Sequence, residues 1–192
     1  MTAEWSYDVI RGTAEATGQR KHTRETSDHT TTSQPVDVAY HKVCRQQQLE
    51  FSEADQQAEW GYWYYATEDM EGLTYQSGSD NDVRGRFIEQ GRLSNIEDSN
   101  FRGIEDNFPV FGFSVDLGEV DASAGSTLFQ ISLHQENCVQ FEGAKGNQTV
   151  PCLWRSYFSD DTAAVSYRTG IQHHNSEQNL GHSLLRRLPN YQ

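Results

Sequence analysis

Three arginines stand out because their spacing could bring them together around an anion. Arg84 and Arg86 are two residues apart, so on a predicted strand both would lie on one face. Arg102 follows an aromatic residue further along the chain. Guanidinium groups bind carboxylates through paired hydrogen bonds, which makes these arginines candidate binders of a carboxylate from a ligand or a neighbouring domain. The alternative, which we favour somewhat, is ion pairing within the domain, with Glu105 or Asp106.

Acidic side chains are concentrated in the turns of the same region. The sequence SGSDND at residues 77–82 and the pairs Glu97-Asp98 and Glu105-Asp106 place several oxygen atoms close together. Calcium binding and general acid–base catalysis need such groups, but the spacing of an EF-hand loop is missing. Because Asp and Asn also stabilise turns through their own backbone, we favour that role and predict no metal site.

The sequence offers no activated nucleophile. The serines at positions 77, 79, 94 and 99 lack a GxSxG elbow and a patterned histidine or acid. Cys44 has cations nearby, which favour a thiolate, but no partner base, so we interpret it as an inert thiol. His41 is interpreted as a packing residue of a strand, and His173 and His174 are adjacent, so they cannot face the same way on a strand. We therefore predict no catalytic residue and no cofactor.

The cysteines and one asparagine bear on the compartment. There are three cysteines, an odd number that argues against a disulfide framework. Cys138 and Cys152 flank a polar loop and are interpreted either as a cross-strand disulfide in an oxidising compartment or as two half-buried thiols. Asn147 begins the sequon Asn-Gln-Thr, a glycosylation site if the chain enters the secretory path.

A dense aromatic run, EWGYWYYA at residues 59–66, gives the strongest strand signal in the chain. Its side chains could form an exposed platform for a sugar. Strict alternation, however, divides them between two faces, and one face is most simply core. The aromatic residues concerned are Trp60, Tyr62, Trp63, Tyr64 and Tyr65.

Alternating apolar and polar residues predict further strands. The series predicts a mainly β fold, an antiparallel sandwich of two packed sheets. A long connection is expected at residues 94–107, with a weak helical option at residues 99–104. We predict strands at Val36–Val43, Glu59–Ala66, Leu73–Ser77, Asp82–Ile88 and Phe108–Leu117, a hairpin of Thr127–Leu133 with Cys138–Glu142, and a short strand or packed segment at Cys152–Phe158.

The composition divides the 192 residues into three parts. Residues 1–34 are predicted to be mostly polar and disordered, residues 35–167 to form the β domain, and residues 168–192 to form a poorly packed tail. The formal net charge of −13 disfavours nucleic acid and anionic membranes as partners. No stretch is apolar enough for a membrane helix, and no signal peptide is visible at the N-terminus.

A series of short segments, in order and with matching spacing, resembles the N-terminal domain of the fungal glutaminase A family of secreted glutamine-hydrolysing enzymes. A short piece at residues 3–5 resembles the end of a strand inside that domain, whereas the resemblance stops abruptly after residue 167. We therefore interpret the chain as a truncated form. The segments are YYAT at 64–67, GLTYQSGSD at 72–80, VRGRF at 83–87, LSNIEDSNFR at 93–102 and DNFPVFGFSVDLG at 106–118.

The resemblance implies a β-rich domain that precedes a helical catalytic domain, as its partner, and an extracellular location. It also implies that the full-length family hydrolyses L-glutamine to L-glutamate and ammonia. For this chain we predict a non-catalytic accessory domain that packs on the catalytic domain. Two alternatives stay open: a free-standing carbohydrate-binding β-sandwich module, and an inert fragment.

Overall fold

The structure, a computed structural model, describes residues 2–11, 36–49, 51, 60–120 and 127–167. Within the predicted polar segment 1–34, residues 3–11 form a strand, and the remainder from residue 12 lies outside the described residues, as does the predicted tail 168–192. The described strands, in chain order, are β1 Ala3–Arg11, β2 Asp37–Arg45, β3 Tyr62–Glu68, β4 Leu73–Ser79, β5 Pro109–Val115, β6 Phe129–His134, β7 Asn137–Gly143 and β8 Gly146–Pro151; helix α1, Asp80–Gln90, lies between β4 and β5.

The strands form three antiparallel sheets. The largest, the main sheet, has the order β1-β2-β3-β6, while β4 pairs with β5 and β7 pairs with β8. The register of the main sheet aligns Tyr7 with His41, His41 with Tyr65, and Tyr65 with Ile131. Because side chains alternate along a strand, these residues share one face. The predicted mainly β, antiparallel fold is confirmed.

An aromatic layer joins the main sheet to the β4-β5 sheet, which gives the molecule its sandwich. Tyr7 stacks on Tyr75, with ring centroids 3.4 Å apart. His41 lies 4.7 Å from Phe113 between centroids, and its Nε2–H donates a hydrogen bond of 3.1 Å to the Gly112 carbonyl. The predicted packing role of His41 is therefore what the structure shows, and burial lowers its pKa to about 4.

The opposite face of the main sheet carries the apolar core. Val38, Tyr40, Tyr64 and Ala66 are buried there together with Val165, which belongs to a helical segment at residues 161–167. Val165 is fully buried, so this segment is part of the hydrophobic core. The main sheet is thus covered by a second sheet on one face and by a helical segment on the other.

The strand predicted at Asp82–Ile88 is wrong, because these residues lie in helix α1. The side chain of Ser79 caps the helix by accepting a hydrogen bond of 3.2 Å from the Asp82 N–H. Gly91, with a φ of 67°, ends the helix in a left-handed conformation. The apparent alternation of this segment was misleading, since Val83 is the helix residue that is buried. The Ser-x-x-Asp cap is the signal that could have predicted the helix.

The predicted hairpin between residues 127–133 and 138–142 is also wrong. Strand β6 pairs with β3 at the edge of the main sheet, and β7 pairs instead with β8. The short strand predicted at residues 152–158 is replaced by a 3-10 helix, Leu153–Ser156. The hairpin error comes from ranking sequence neighbours above distant partners. At residues 152–158 the alternative of a packed segment agrees with the structure, since Trp154 packs against His134.

Candidate functional site

The three candidate arginines do not share one strand face. Arg84 lies on the exposed side of α1 and forms an ion pair with Asp80, one helical turn earlier. Arg86 also lies on α1, but on the side that faces the connection between α1 and β5. Arg102 lies within that connection and is buried. The structure therefore brings Arg86 and Arg102 to one place and excludes Arg84 from it.

Arg102 is held by several bonds within the domain. Its Nε donates a hydrogen bond of 2.8 Å to the carbonyl of Asp106, and its Nη1 contacts the Asp98 carboxylate at 2.5 Å and the Asn100 carbonyl at 2.7 Å. The guanidinium also lies 5.5 Å from the ring centroid of Trp5. Pairing inside the domain was the favoured expectation, but the carboxylate used is Asp98 and not Glu105 or Asp106.

The contact with Arg102 helps to lower the pKa of the Asp98 carboxyl group. Partial burial acts to raise the pKa of Asp98, but hydrogen bonds from Arg102 and from the Asn100 N–H outweigh it and hold the pKa below its ordinary value. Asp98 therefore stays ionised at neutral pH, and the pair closes the loop of residues 98–106 on itself.

The connection after α1 is hydrogen-bonded to both the β4-β5 sheet and the main sheet. The Asn95 N–H donates to the Tyr75 carbonyl at 2.8 Å, and the Ser77 N–H donates to the Ile96 carbonyl at 3.2 Å. On the other side, the indole N–H of Trp5 donates to the Asp98 carbonyl at 2.6 Å. The long connection predicted at residues 94–107 is correct, but its weak helical option at residues 99–104 is wrong. Held by these hydrogen bonds, the connection forms a wall opposite α1.

Helix α1 and this wall enclose the polar groove, a cavity of about 610 Å³. The groove combines both signs of charge with neutral amide groups. We define it by six of its lining residues: Gln76, Asp82, Arg86, Glu89, Glu97 and Arg102.

The backbone is strained where the groove ends. Asn107, which lines the groove, has a φ of 56°, and Phe108 has a φ of 35°. Positive φ is unfavourable for a bulky residue such as phenylalanine. The Phe108 carbonyl accepts a hydrogen bond of 3.0 Å from the Asp80 N–H, so the strained turn is tied to the first residue of α1. Such strain is often concentrated at functional sites.

A second cavity, the tryptophan pocket, lies at one end of β2 and β3. It also measures about 610 Å³, and it is lined by Cys44, Trp60, Trp63 and Ile104 among others. Trp63 is 49% exposed and Ile104 is 73% exposed. Burial raises the pKa of the Cys44 thiol, which agrees with an inert thiol. Two of the five aromatic residues proposed as a platform therefore share an open apolar pocket.

A third cluster, the helix anchor, attaches the helical segment 161–167 to the main sheet. We define it as Lys42, Tyr64, His134, Asp161 and Val165. The Tyr64 hydroxyl donates a hydrogen bond of 2.6 Å to Asp161, and Lys42 lies 3.6 Å from the same carboxylate. Burial and the bond to Asp161 raise the pKa of Tyr64. Sequence reasoning missed this cluster, whose members are far apart in the chain.

His134 completes the helix anchor in a neutral form. Its Nε2 forms a hydrogen bond of 2.9 Å with the Ser132 hydroxyl, and its ring lies edge-on to Tyr64 at 5.3 Å. Its Nδ1 is buried and has no hydrogen-bond partner in the described part of the chain. Burial lowers the pKa of His134 more than the Asp161 carboxylate raises it. The ring therefore acts as a packing group between Tyr64 and Trp154, whose centroid is 5.4 Å away.

Two of the cysteines and the sequon lie on or directly beside the β7-β8 hairpin. Cys138 and Cys152 form a disulfide with Cα atoms 4.8 Å apart, so of the two interpretations left open above the structure shows the cross-strand bond. Asn147 is exposed on β8. His173 and His174 lie outside the described residues.

Two kinds of feature are missing from the described residues. No group of three or more histidine, cysteine or acidic side chains is arranged to hold a metal ion. Among the described helices, none has the length and apolar character needed to cross a membrane.

Known proteins support the resemblance expected from the sequence. Glutaminase A of Aspergillus oryzae is 56% identical over 131 residues, which cover 68% of this chain and 19% of that protein. Probable glutaminase/05536 of Arthroderma benhamiae is 31% identical over 134 residues, 66% of this chain and 15% of that protein. The chain thus spans less than a fifth of the length of these curated relatives. No solved structure matches it.

The family comparison covers more of the chain. Residues 11–177 match the family described as a domain of unknown function, DUF5127. The match includes the polar groove, the helix anchor and all of the tryptophan pocket except Ala3. The chain belongs to the DUF5127 family, and it is related in sequence to fungal glutaminase A.

Proposed function

We propose that this chain is a non-catalytic accessory domain of a glutaminase-related protein, and that it packs against and stabilises a helical catalytic domain. The observation that carries the proposal is the helix anchor. Val165 is fully buried in the core of the main sheet, and Asp161 is held by Tyr64 and Lys42. The β domain thus already uses a helical segment as part of its own core, which is the contact a β domain needs to hold a helical neighbour.

The anchor suits a permanent contact. A buried apolar side chain contributes about 1.5–3 kcal/mol relative to an exposed one, and charge-assisted hydrogen bonds are stronger than neutral ones. Both stabilise the same short segment, at Asp161 and one helical turn later at Val165. A transient binding surface would leave this face free until a partner arrived. We therefore assign the helical segment a structural role, and the reaction to the remainder of the protein.

A chimera tests the proposal. The matching 131 residues of the Aspergillus oryzae glutaminase A would be replaced by the corresponding part of this chain. We expect the chimera to release ammonia from L-glutamine, because the anchor is supplied intact, and we expect the purified chain alone to release none above a heat-killed control. Ammonia release by the chain alone would refute the non-catalytic part.

The anchor itself is tested in the same chimera. Asp161→Ala removes the carboxylate that holds Tyr64 and Lys42, so we expect a lower thermal midpoint of inactivation. Glu119→Ala, at an exposed acidic residue beyond β5 that has no partner among the described residues, is the matched control and should leave the midpoint unchanged. Equal midpoints for both variants would show that the anchor does not stabilise the catalytic domain.

A carbohydrate-binding module is the second candidate function, and the tryptophan pocket favours it. Trp60 and Trp63 line one open pocket, and aromatic side chains offer amphipathic faces to sugars. We expect such a module to be retained by a polysaccharide such as cellulose or chitin and to be released by Trp63→Ala. Phe87→Ala is the control, since Phe87 is similarly exposed at 51% but lies on α1. Retention that survives Trp63→Ala would exclude the pocket as the sugar site.

An extracellular location is part of the proposed function. The Cys138–Cys152 disulfide supports it, because disulfides persist mainly in oxidising compartments. We expect Asn147 to carry a glycan when the chain is expressed with a secretion signal in a fungal host. An endoglycosidase that shifts the wild-type band but not the Asn147→Gln band would establish this modification. Identical bands would remove Asn147 from the glycosylated sites.

A further inference from the structure

The polar groove contains two groups that have no partner among the described residues. The guanidinium of Arg86 forms no ion pair or hydrogen bond with any described residue, although the residue is half-buried. Gln76 is only 4% exposed, and its Oε1 accepts a hydrogen bond of 3.1 Å from the Ser94 N–H. Its amide nitrogen has no partner in the described chain. Neither donor belongs to the buried side-chain atoms that lack a partner, so both remain accessible from the groove and are available to a ligand.

The two neighbouring arginines show that Arg86 is an exception. Arg84, on the same helix, pairs with Asp80, and Arg102, across the groove, is held by Asp98 and two carbonyl groups. An unpaired charge in a partly desolvated position costs stability. The fold satisfies the arginines that flank Arg86 and leaves Arg86 itself open to the groove.

The groove also offers carboxylates near this cation. Glu89 lies one helical turn after Arg86 on the same face of α1, and Glu97 lies on the opposite wall. One oxygen of Glu97 accepts a hydrogen bond of 3.3 Å from the Tyr7 N–H, which fixes that side chain and leaves its second oxygen free to accept another bond. The site therefore presents a cation on one side and carboxylates beside and across from it.

We propose that the polar groove binds a free polar α-amino acid. Its carboxylate pairs with Arg86, its ammonium group lies between Glu89 and Glu97, and a polar atom of its side chain accepts a hydrogen bond from the Gln76 amide. A zwitterion matches the two signs of charge that the groove presents, whereas a simple anion would meet the carboxylates and a simple cation would meet Arg86. This inference is independent of the proposed accessory role, since the site lies within the β domain.

The size and position of the groove agree with such a ligand. Its volume of about 610 Å³ falls within the range of about 300–1,000 Å³ that small-molecule sites occupy. A free amino acid fills only part of this space, so water molecules would bridge the remaining polar groups. Asn107, which belongs to the strained turn with Phe108, contributes to the lining of the site.

The test is a titration of the full chain with L-glutamine, followed by amide chemical shifts. We expect saturable shifts confined to α1 and residues 93–102. Two analogues test the two charges: N-acetyl-L-glutamine lacks the ammonium group, and L-glutamine amide lacks the carboxylate. Each analogue should bind at least about tenfold more weakly, since each loses one charge-assisted contact.

Variants on one helix provide the matched comparison. Arg86→Gln should weaken binding about tenfold. Arg84 lies about 3 Å away along the helix axis, on the exposed side, so Arg84→Gln should change the Kd by less than about twofold. Glu97→Gln keeps an acceptor for the Tyr7 N–H and should weaken binding less than Arg86→Gln. The dispersion of each variant's spectrum shows that it is folded.

Three results would overturn the proposal. The first is the lack of any saturable shift at about 10 mM ligand, at which a site with a Kd of about 1 mM would be almost full. The second is equal weakening by Arg84→Gln and Arg86→Gln. The third is binding of both analogues as tightly as L-glutamine. None of these results bears on the chimera experiment, so the two proposals fail separately.

Discussion

The helix anchor and the polar groove are both built from ionisable side chains on opposite parts of the β domain, but they treat charge differently. In the anchor, Lys42 and the Tyr64 hydroxyl both contact Asp161. In the groove, Arg102 is paired with Asp98, while Arg86 has no partner within the described residues. One region uses its charges to hold the chain together, and the other keeps one charge available.

Whether a charged side chain is paired within the fold therefore distinguishes a structural role from an available binding group, and no sequence relative is needed for this distinction. Removing one partner of a buried, fully paired charge strongly destabilises the fold, because the other partner is left desolvated and unpaired. An unpaired, half-buried charge contributes little to folding and is retained at a cost. Substitutions should therefore have large effects on stability at paired groups and small effects at Arg86.

The largest effect is expected at Arg102, the paired arginine of the groove. Arg102→Ala leaves the Asp98 carboxylate and the Asp106 carbonyl without their donor, so we expect the free energy of unfolding to decrease by about 3 kcal/mol. Urea denaturation followed by circular dichroism measures the change. Arg102→Lys keeps the charge but loses the fork geometry, and it should fall between the wild type and Arg102→Ala. A loss below about 1 kcal/mol for Arg102→Ala would contradict the structural role.

Acidification should reduce the stability of the folded chain through a buried histidine of the main sheet, and not through the groove. The pKa of His41 is lowered to about 4 in the folded chain, so between about pH 6.5 and 4 the unfolded chain binds more protons. Stability is therefore fully present above pH 6.5 and is lost as pH falls through this window, by about 3 kcal/mol from His41. His134, whose pKa is also lowered, contributes with the same sign.

The control for this pH dependence is His41→Gln. Its unfolding free energy should decline less steeply than that of the wild type as pH falls from 6.5 toward 4, since the titrating ring is gone. The groove contains no histidine among its six defining residues, so Arg86→Gln should keep the wild-type slope. Parallel curves for the wild type and His41→Gln would show that His41 does not drive the acid sensitivity.

A smaller loss is expected in the helix anchor. Tyr64→Phe keeps the buried ring but removes the hydroxyl that donates to Asp161, which should reduce the free energy of unfolding by about 2 kcal/mol. Tyr62→Phe is the matched control. The Tyr62 ring lies 3.8 Å from the Lys42 ammonium, and phenylalanine keeps that face. If both substitutions cost the same, the bond to Asp161 does not stabilise the anchor.

Some elements of the fold could be predicted from the sequence, and others could not. The strands at Val36–Val43 and Phe108–Leu117 were predicted within a few residues of β2 and β5, because alternation is a local property of the chain. Helix α1 was missed because its short amphipathic pattern imitated a strand, and the pairing of β6 with β3 was missed because partners distant in sequence leave no local signal.

The candidate site was predicted in part for the same reason. Arg86 and Arg102 were singled out from the sequence, and both line the groove. Gln76 and Glu89 were not, because their roles depend on α1 and on the connection at residues 93–102. Once Asp80–Gln90 is recognised as a helix, the spacing of Asp82, Arg86 and Glu89 already places them on one face.

The smallest effect on stability is expected at Arg86, and it is the most informative. Arg86→Gln removes a guanidinium that has no partner among the described residues, so the free energy of unfolding should stay within about 0.5 kcal/mol of the wild type or increase slightly. Arg84→Gln loses the exposed ion pair with Asp80, one helical turn earlier. This loss should lower the free energy of unfolding by about 0.3–0.5 kcal/mol. Urea denaturation of both variants, beside Arg102→Ala, ranks the arginines on one scale. A loss at Arg86 as large as that at Arg102 would mean that Arg86 is paired in solution, and the contrast between the two regions would then disappear. The expected order, in which the arginine that matters least for folding is the one that matters most for binding, is what distinguishes a ligand site from a structural network.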